Sequence, residues 1–130
     1  MQWIEFLGRI LLAQLFFLAG LGKISGYAAT QGYMESMGVS GSLLPLVIAL
    51  EIVAPLMLIV GWRTRLAAAA LAGFTVIAAA IFHHDLANQM QMIMFTKDLA
   101  ITGGLMLLCI YGPGRVSLDH RVDQARKASL

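Results

Sequence analysis

The chain has 130 residues, of which 59% are apolar and only 12% are charged, and its formal net charge is +2. Soluble domains are roughly 45–50% apolar and about 25% charged, and a soluble domain this small would leave too much apolar surface in water. The composition therefore excludes an ordinary soluble domain and favours a protein that resides in a lipid bilayer. The small net charge, without a basic patch interleaved with aromatic residues, argues against nucleic acid as a partner.

Four apolar segments predict an all-α fold: an integral membrane bundle of four transmembrane helices in a single membrane domain. The predicted helices cover residues 3–22, 43–61, 65–82 and 88–111, and a tail follows at 112–130. Each segment is close to the roughly 20 residues that a helix needs to cross the bilayer core. Because Arg9 interrupts the first segment and no A-x-A cleavage site follows it, we interpret this segment as a retained helix rather than a signal peptide.

Two connections between the predicted helices are long. Residues 24–42 are mildly amphipathic, and residues 83–97 are rich in methionine. They fit interfacial loops or short surface helices, or alternatively a lid over a site near the outer leaflet, with methionines as an adaptable apolar wall. Between them, small residues dominate the third helix and predict close helix packing, with Ala69 and Gly73 as a small-xxx-small pair.

The lysine and arginine residues outside the helices predict the orientation of the chain. The connection between helices two and three and the tail contain Arg63, Arg65, Arg115, Arg121, Arg126 and Lys127. The other two connections contain only Lys23 and Lys97. Because basic residues favour the cytoplasmic side of a membrane, we expect both termini and the tail to face the cytoplasm.

Four charged residues lie within or at the edges of the predicted spans: Arg9, Glu51, Lys97 and Asp98. A charge at the bilayer centre costs roughly 2.5–3.5 kcal/mol on insertion scales, and it normally faces a partner or a cavity. Glu51 lies roughly 13 Å below the outer surface by the helical rise, and Lys97 reaches a similar depth if the fourth helix begins near Asn88. We therefore expect Glu51 to pair with Lys97, or alternatively with Arg9 from the cytoplasmic side.

Pro55 adds a second polar group at the same place. A proline has no N–H to donate to the carbonyl four residues earlier, and here that carbonyl belongs to Glu51. The freed acceptor needs a partner from a neighbouring helix, a water or a ligand. Two interpretations remain open: these polar groups fasten the helices together, or they line a cavity that binds a polar ligand or handles protons.

Histidine and cysteine chemistry is limited in this chain. The lone cysteine, Cys109, leaves no disulfide and no CxxC redox pair. His83 and the adjacent His84 point about 100° apart on a helix and would not share a metal ion, so no metal site is expected. His83 fits either a polar cap at the helix end or a proton donor and acceptor for a ligand.

Tyr27 fits an interfacial aromatic belt and is a further candidate for ligand contact.

Five motifs follow one another along the chain: "LGRILLAQLFFLAGLGKISGY" (7–27), "MGVSGSLLPLVIALE" (37–51), "FHHDL" (82–86), "MFTKDLAITGGLML" (94–107) and "GPGRVSLD" (112–119). In this order they resemble the DoxX family of small bacterial membrane proteins. Asp98 is a departure, because similar proteins often have asparagine after the lysine. The added carboxylate is expected to compete for Lys97 or to pair with Lys23.

The resemblance implies a four-helix protein of the bacterial inner membrane with a quinone-linked redox or quinone-stress function. Glu51 and His83 would then be the catalytic groups, which exchange the protons that accompany quinone reduction. The ligand-binding candidates are Arg9, Lys23, Lys97, Asp98 and Tyr27. Because the chain has no evident redox centre, it would act as an oxidoreductase subunit with a bound quinone or quinol, and electrons would come from a soluble redox enzyme on the cytoplasmic face or from a bound reductant.

Two other functions are compatible with the same residues. The first is a non-catalytic membrane adaptor that assembles soluble redox enzymes, with the tail as its docking surface. The second is a small proton-coupled exporter that uses Glu51, although the basic residues around this acid would repel cationic substrates. A homo-oligomer is a further expectation for this chain.

Overall fold

The computed structural model describes residues 2–129, and within this range it contains helices and no strands. The helices are α1 (Gln2–Ser25), α2 (Tyr27–Ser36), α3 (Leu44–Val60, preceded by a 3₁₀ turn at Gly41–Leu43), α4 (Thr64–Phe82), α5 (Gln89–Tyr111) and α6 (Leu118–Ala128). Four of these are long and apolar enough to cross a membrane: α1, α3 with its 3₁₀ turn, α4 and α5. Their bounds differ from the predicted ones by at most three residues at either end.

Local capping groups set the ends of the spanning helices. The side chain of Asn88 accepts hydrogen bonds from the backbone N–H groups of Met90 and Gln91 at 3.0 and 3.3 Å, which explains why α5 begins here rather than at Asp98. Gly61 ends α3 in the left-handed conformation with φ +78°, where glycine has no steric penalty. Helix α3 itself continues without interruption through Pro55.

The spanning helices pack as two pairs, α1 with α3 and α4 with α5, and contacts between α3 and α4 join the pairs. The buried residues of α1 recur every three or four positions and form one stripe: Arg9, Ala13, Phe16 and Gly20. Helix α4 contributes Ala67, Ala68 and Leu71 to the shared core. The predicted packing pair of Ala69 and Gly73 is wrong, because both residues lie on the exposed face of α4 and nothing lies within 4 Å of a Cβ built on Gly73.

At one end of the bundle, helix α2 contacts the end of α4. The rings of Tyr33 and Phe82 stack with centroids 5.4 Å apart, and the amide of Gln31 donates to the carbonyl of Gly41 at 3.3 Å. The 24–42 connection thus contains a short surface helix. In the other long connection, residues 89–97 belong to the spanning helix α5.

At the opposite end, the tail folds back onto the bundle instead of extending from it. The carboxylate of Asp119 accepts hydrogen bonds from the backbone N–H groups of Arg63 and Thr64 at 2.7 and 2.8 Å. The backbone N–H of Asp119 donates to the carbonyl of Gly61 at 2.8 Å. Asp119 therefore caps the N-terminus of α4 from a distant part of the sequence, and this contact anchors α6.

Candidate functional site

Glu51 is the buried acid of the bundle, and its partner is Lys23. The ammonium nitrogen of Lys23 lies 2.8 Å from Oε1 of Glu51 and donates a hydrogen bond to Oε2 at 3.0 Å. The Glu51 side chain is only 2% exposed, whereas that of Lys23 is 29% exposed. The expected pairing of Glu51 with Lys97 or Arg9 is therefore wrong, because α1 carries Lys23 to α3 while Lys97 lies on the exposed surface of α5.

A close approach between α1 and α3 makes this pair possible. A Cβ built on Gly20 would lie 3.0 Å from Cγ1 of Ile52 and 3.2 Å from Cβ of Glu51. Gly20 thus lets the backbone of α1 lie directly against Glu51. Lys23 follows Gly20 by three residues, so its side chain is on the same helix face.

Pro55 adds to the polarity of this region in the way that the sequence predicts. The helix continues through Pro55, and a proline at this position leaves the carbonyl of Glu51 without its usual helical N–H donor. Pro55 and Glu51 are both buried. One residue of α3 therefore presents two acceptor groups, a carboxylate and a carbonyl, inside the bundle.

A second polar pair joins α4 and α5. Nε2 of His83 lies 4.0 Å from Oδ2 of Asp98, and each of the two side chains is 24% exposed. The alternative that paired Asp98 with Lys23 is therefore wrong. This pair is looser and more open than the Lys23–Glu51 pair.

The remaining ligand-binding candidates on the outer half lie apart from these two pairs. Lys97 is exposed, and among residues 2–129 it makes no ion pair and no side-chain hydrogen bond. Tyr27 begins α2 and is 36% exposed, which is compatible with the interfacial belt predicted for it. A role for either residue in ligand binding stays a prediction.

Arg9 lies at the other end of the bundle, and its side chain donates hydrogen bonds to backbone carbonyls. It is 2% exposed, and its guanidinium donates to the carbonyl of Leu58 at 2.9 Å and to the carbonyl of Val116. Leu58 is two helical turns from Glu51, roughly 10 Å along the axis of α3. The positive charge therefore sits at the C-terminus of α3, where the helix dipole favours a cation.

Sequence reasoning missed the contacts of two residues. Lys23 was a ligand-binding candidate and an expected partner of Asp98 rather than of Glu51, although its spacing in the stripe of Arg9, Ala13, Phe16 and Gly20 indicates the face toward α3. Asp119 carries no local signal for its capping role, because its partners lie more than fifty residues earlier in the chain.

Chemically, the Lys23–Glu51 pair offers a hydrogen-bond donor and a proton-exchanging acceptor side by side within membrane helices. Intramembrane ionisable residues of this kind commonly mark ligand sites or proton relays. Within the described part of the chain, no group of three His, Cys, Asp or Glu residues is arranged to hold a metal ion. The arrangement is thus suited to a small polar group with carbonyl or hydroxyl functions.

Comparisons with known proteins agree with this architecture. A protein-family model described as DoxX matches residues 4–84. The chain is 49% identical over 116 residues to "Inner membrane protein YqjF" of Escherichia coli (strain K12), covering 89% of each chain. It is 34% identical over 122 residues to "Inner membrane protein YphA" of the same organism, covering 88% of this chain and 87% of that one. No solved structure matches the chain.

The two relatives cover nearly the whole chain and are both inner membrane proteins by name. The family match includes the segments that carry Arg9, Lys23, Glu51 and His83. Together with the four helices long and apolar enough to cross a bilayer, these matches show that the chain is a membrane protein of the DoxX family.

Proposed function

We propose that this protein is a quinone-linked redox subunit whose ligand site is built around Lys23 and Glu51. The observation that carries the proposal is the buried carboxylate of Glu51 with a half-buried ammonium 2.8 Å away. A quinone dissolves in the bilayer, and its carbonyl oxygens need hydrogen-bond donors in an otherwise apolar environment. The Lys23 ammonium is such a donor, and its exposed fraction leaves it open to a ligand from the lipid side.

Reduction of a quinone to a quinol adds two electrons and two protons. Glu51 would deliver or accept a proton beside the carbonyl that Lys23 binds. His83, directly after α4, with Asp98 on α5 would supply a second titratable pair. Because the chain contains one cysteine and no CxxC pair, the electrons would come from a soluble redox enzyme or from a bound reductant.

Quinone binding by purified protein tests this proposal. Binding of a soluble ubiquinone analogue is measured by calorimetry. We expect Glu51→Gln and Lys23→Met each to weaken binding by about tenfold or more, which corresponds to the loss of one charge-assisted hydrogen bond. Lys97→Met is the matched control, because it removes the same charge from an exposed position.

Removal of one partner of a buried pair also destabilises a protein, so the double variant Lys23→Gln/Glu51→Gln is measured as well. It removes both charges and keeps hydrogen-bonding groups. If wild-type protein does not bind the analogue, or if Lys97→Met weakens binding as much as Lys23→Met does, the proposal is wrong.

The proposed orientation has both termini in the cytoplasm. It is supported by the position of Arg63, Arg65 and Arg115 at one end of the bundle, because basic residues favour the cytoplasmic side. In a Cys109→Ser background, single cysteines at Ser129 and Ser40 are labelled with a membrane-impermeant maleimide in intact cells. We expect labelling at Ser40 and none at Ser129; the reverse pattern would show the opposite orientation.

A non-catalytic adaptor is the second candidate, and the exposure of α6 favours it. This helix has no buried residue, although Asp119 anchors its first turn to α4. Deletion of residues 120–130 keeps this anchor and removes most of the exposed helix. If the deletion abolishes recovery of soluble partners in pull-downs and leaves quinone binding unchanged, docking is a separate role of the tail; unchanged recovery would remove the adaptor function.

A further inference from the structure

A cavity of about 840 Å³ opens at the end of the bundle where α3 turns into α4. It lies between the start of α1, the N-terminus of α4, the C-terminus of α5 and the first turns of α6. Its wall includes three arginines, Arg63, Arg65 and Arg115. It is distinct from the Lys23–Glu51 site, which lies further along α3 by more than two helical turns.

The three arginines bring unpaired positive charge to this cavity. Among residues 2–129, none of their guanidinium groups has an ion pair or a hydrogen bond to the protein. Arg63 lies over the Trp62 ring at 5.3 Å from its centroid. The side chain of Arg65 extends along Gly112: a Cβ built on Gly112 would lie 3.3 Å from the Nε and Nη2 atoms of Arg65. Three guanidinium groups without protein partners around one cavity indicate a site for an anion.

Two of the three carboxylates on the same wall already have partners. Both oxygens of Asp119 accept backbone hydrogen bonds from the start of α4, and Asp123 pairs with Lys127 at 3.5 Å. The carboxylate of Glu5 packs against the backbone of Gly114, so closely that a Cβ built on Gly114 would collide with it. No three acidic, histidine or cysteine residues of the described chain are arranged around a metal position.

A further polar group on the wall lacks a partner. The hydroxyl of Thr64, in the first turn of α4, is fully buried and has no hydrogen-bond partner among the described residues. It adds a potential donor beside the arginines. The wall therefore combines planar guanidinium forks with a hydroxyl, which is the donor set that suits the several oxygens of a phosphate group.

We propose that this cavity binds the phosphate of an anionic phospholipid headgroup. The cavity lies at the ends of spanning helices, where headgroups are found, and its rim carries the exposed apolar side chains of Leu66 and Tyr111 at 59% and 77% exposure. Basic pockets between transmembrane helices bind anionic headgroups in this way. The acyl chains would lie along the apolar outer faces of α4 and α5.

Lipid binding to the purified full chain tests the proposal. Retention of phosphatidylglycerol is measured by native mass spectrometry, and its effect on thermal unfolding is measured in detergent, with phosphatidylcholine and inorganic phosphate as comparison ligands. We expect wild-type protein to retain phosphatidylglycerol and Arg65→Gln/Arg115→Gln to weaken this binding by at least about tenfold. Arg121→Gln/Arg126→Gln is the matched control, because it removes the same charge from α6 outside this cavity, and it is expected to bind normally.

A single Arg115→Gln variant, which changes only an exposed loop residue, keeps the test decisive if the double variant does not fold. It is expected to weaken phosphatidylglycerol binding by several-fold. Equal binding of phosphatidylcholine, or equal loss in the control variant, would overturn the proposal, because the attraction would then be non-specific. Arginine-dependent binding of inorganic phosphate in place of lipid would overturn the lipid assignment and identify a soluble phosphate compound as the ligand.

Discussion

Arg9 and Glu51 are both buried, yet different partners compensate their charges. Glu51 has an oppositely charged neighbour in Lys23. Arg9 makes no ion pair within the described chain and instead donates to two backbone carbonyls, of Leu58 and Val116. A guanidinium is suited to this because its fixed fork of donors can reach two acceptors at once. Arg9 thus joins α1, on which it lies, to the end of α3 and to the loop before α6.

Substitution of Arg9 tests this structural role. We expect Arg9→Met to destabilise the protein by about 2–4 kcal/mol, because the carbonyls of Leu58 and Val116 lose a charged donor. Arg9→Lys is expected to recover only part of this, since lysine has a single ammonium group. Thermal unfolding in detergent measures both effects. A loss of less than about 1 kcal/mol in Arg9→Met would show that the carbonyls find other donors.

Gly20 offers a second test at the level of single residues. A larger side chain would collide with Ile52 and Glu51, so we expect Gly20→Leu to destabilise by about 1–3 kcal/mol through overpacking. Gly22→Leu is the control, because nothing lies within 4 Å of a Cβ at Gly22, and removal of a helical glycine stabilises by up to about 1 kcal/mol. Similar effects of both substitutions on thermal unfolding would contradict the close approach of α1 and α3.

Among the elements, α4 and α6 show how distant segments complete a helix end. The first turn of α4 begins at Thr64 after Arg63, which has a left-handed φ of 46°, and no side chain of the preceding residue caps it. The carboxylate of Asp119 caps this helix end instead. The exposed helix α6 is thereby attached to the bundle through its own first turn.

Replacement of Asp119 tests the distant cap. We expect Asp119→Ala to destabilise by about 0.5–2 kcal/mol, as for other N-cap substitutions, and to speed hydrogen exchange at the start of α4 and in α6. Asp123→Ala is the control: its pair with Lys127 is exposed and is worth at most a few tenths of a kcal/mol on a helix surface. Equal exchange rates in wild type and Asp119→Ala would contradict the capping role.

At the scale of the whole molecule, the bundle consists of two helix pairs, α1 with α3 and α4 with α5, that meet through α3 and α4. Each pair has one polar contact: Lys23–Glu51 between α1 and α3, and His83–Asp98 between the residue after α4 and α5. Helices α1 and α5 meet where Leu12 packs against Gly104. The segment of residues 112–119 then links the pairs at one end through Arg9 and Asp119.

Two truncations test how far the tail supports the bundle. Removal of residues 120–130 leaves the Val116 carbonyl and the Asp119 cap in place, so we expect thermal unfolding within a few degrees of wild type. Removal of residues 116–130 takes away both contacts and is expected to lower the unfolding temperature markedly, or to cause aggregation in detergent. Equal stability of the two truncated chains would show that the 116–119 segment does not hold the bundle.

Much of the fold was predictable from the sequence because a bilayer imposes simple lengths and local caps. The apolar runs placed the four spanning helices, the length needed to cross the bilayer placed the start of α5 near Asn88, and Pro55 with Glu51 indicated a polar point inside α3. These features depend on residues within about one helical turn of each other, together with the thickness of the membrane. The membrane class and the helix bundle follow from them, and the family follows from the resemblance of the ordered motifs between residues 7 and 119.

The pairing of charges was decided only by the tertiary structure. Depth along each helix made Lys97 and Arg9 plausible partners for Glu51, but depth contains no information about which faces of neighbouring helices meet. That choice follows from the glycine contact that brings α1 against α3 at Gly20, and from the position of Lys97 on the outer surface of α5. The sequence by itself thus determined which groups enter the membrane, and the packing of the helices determined which of them touch.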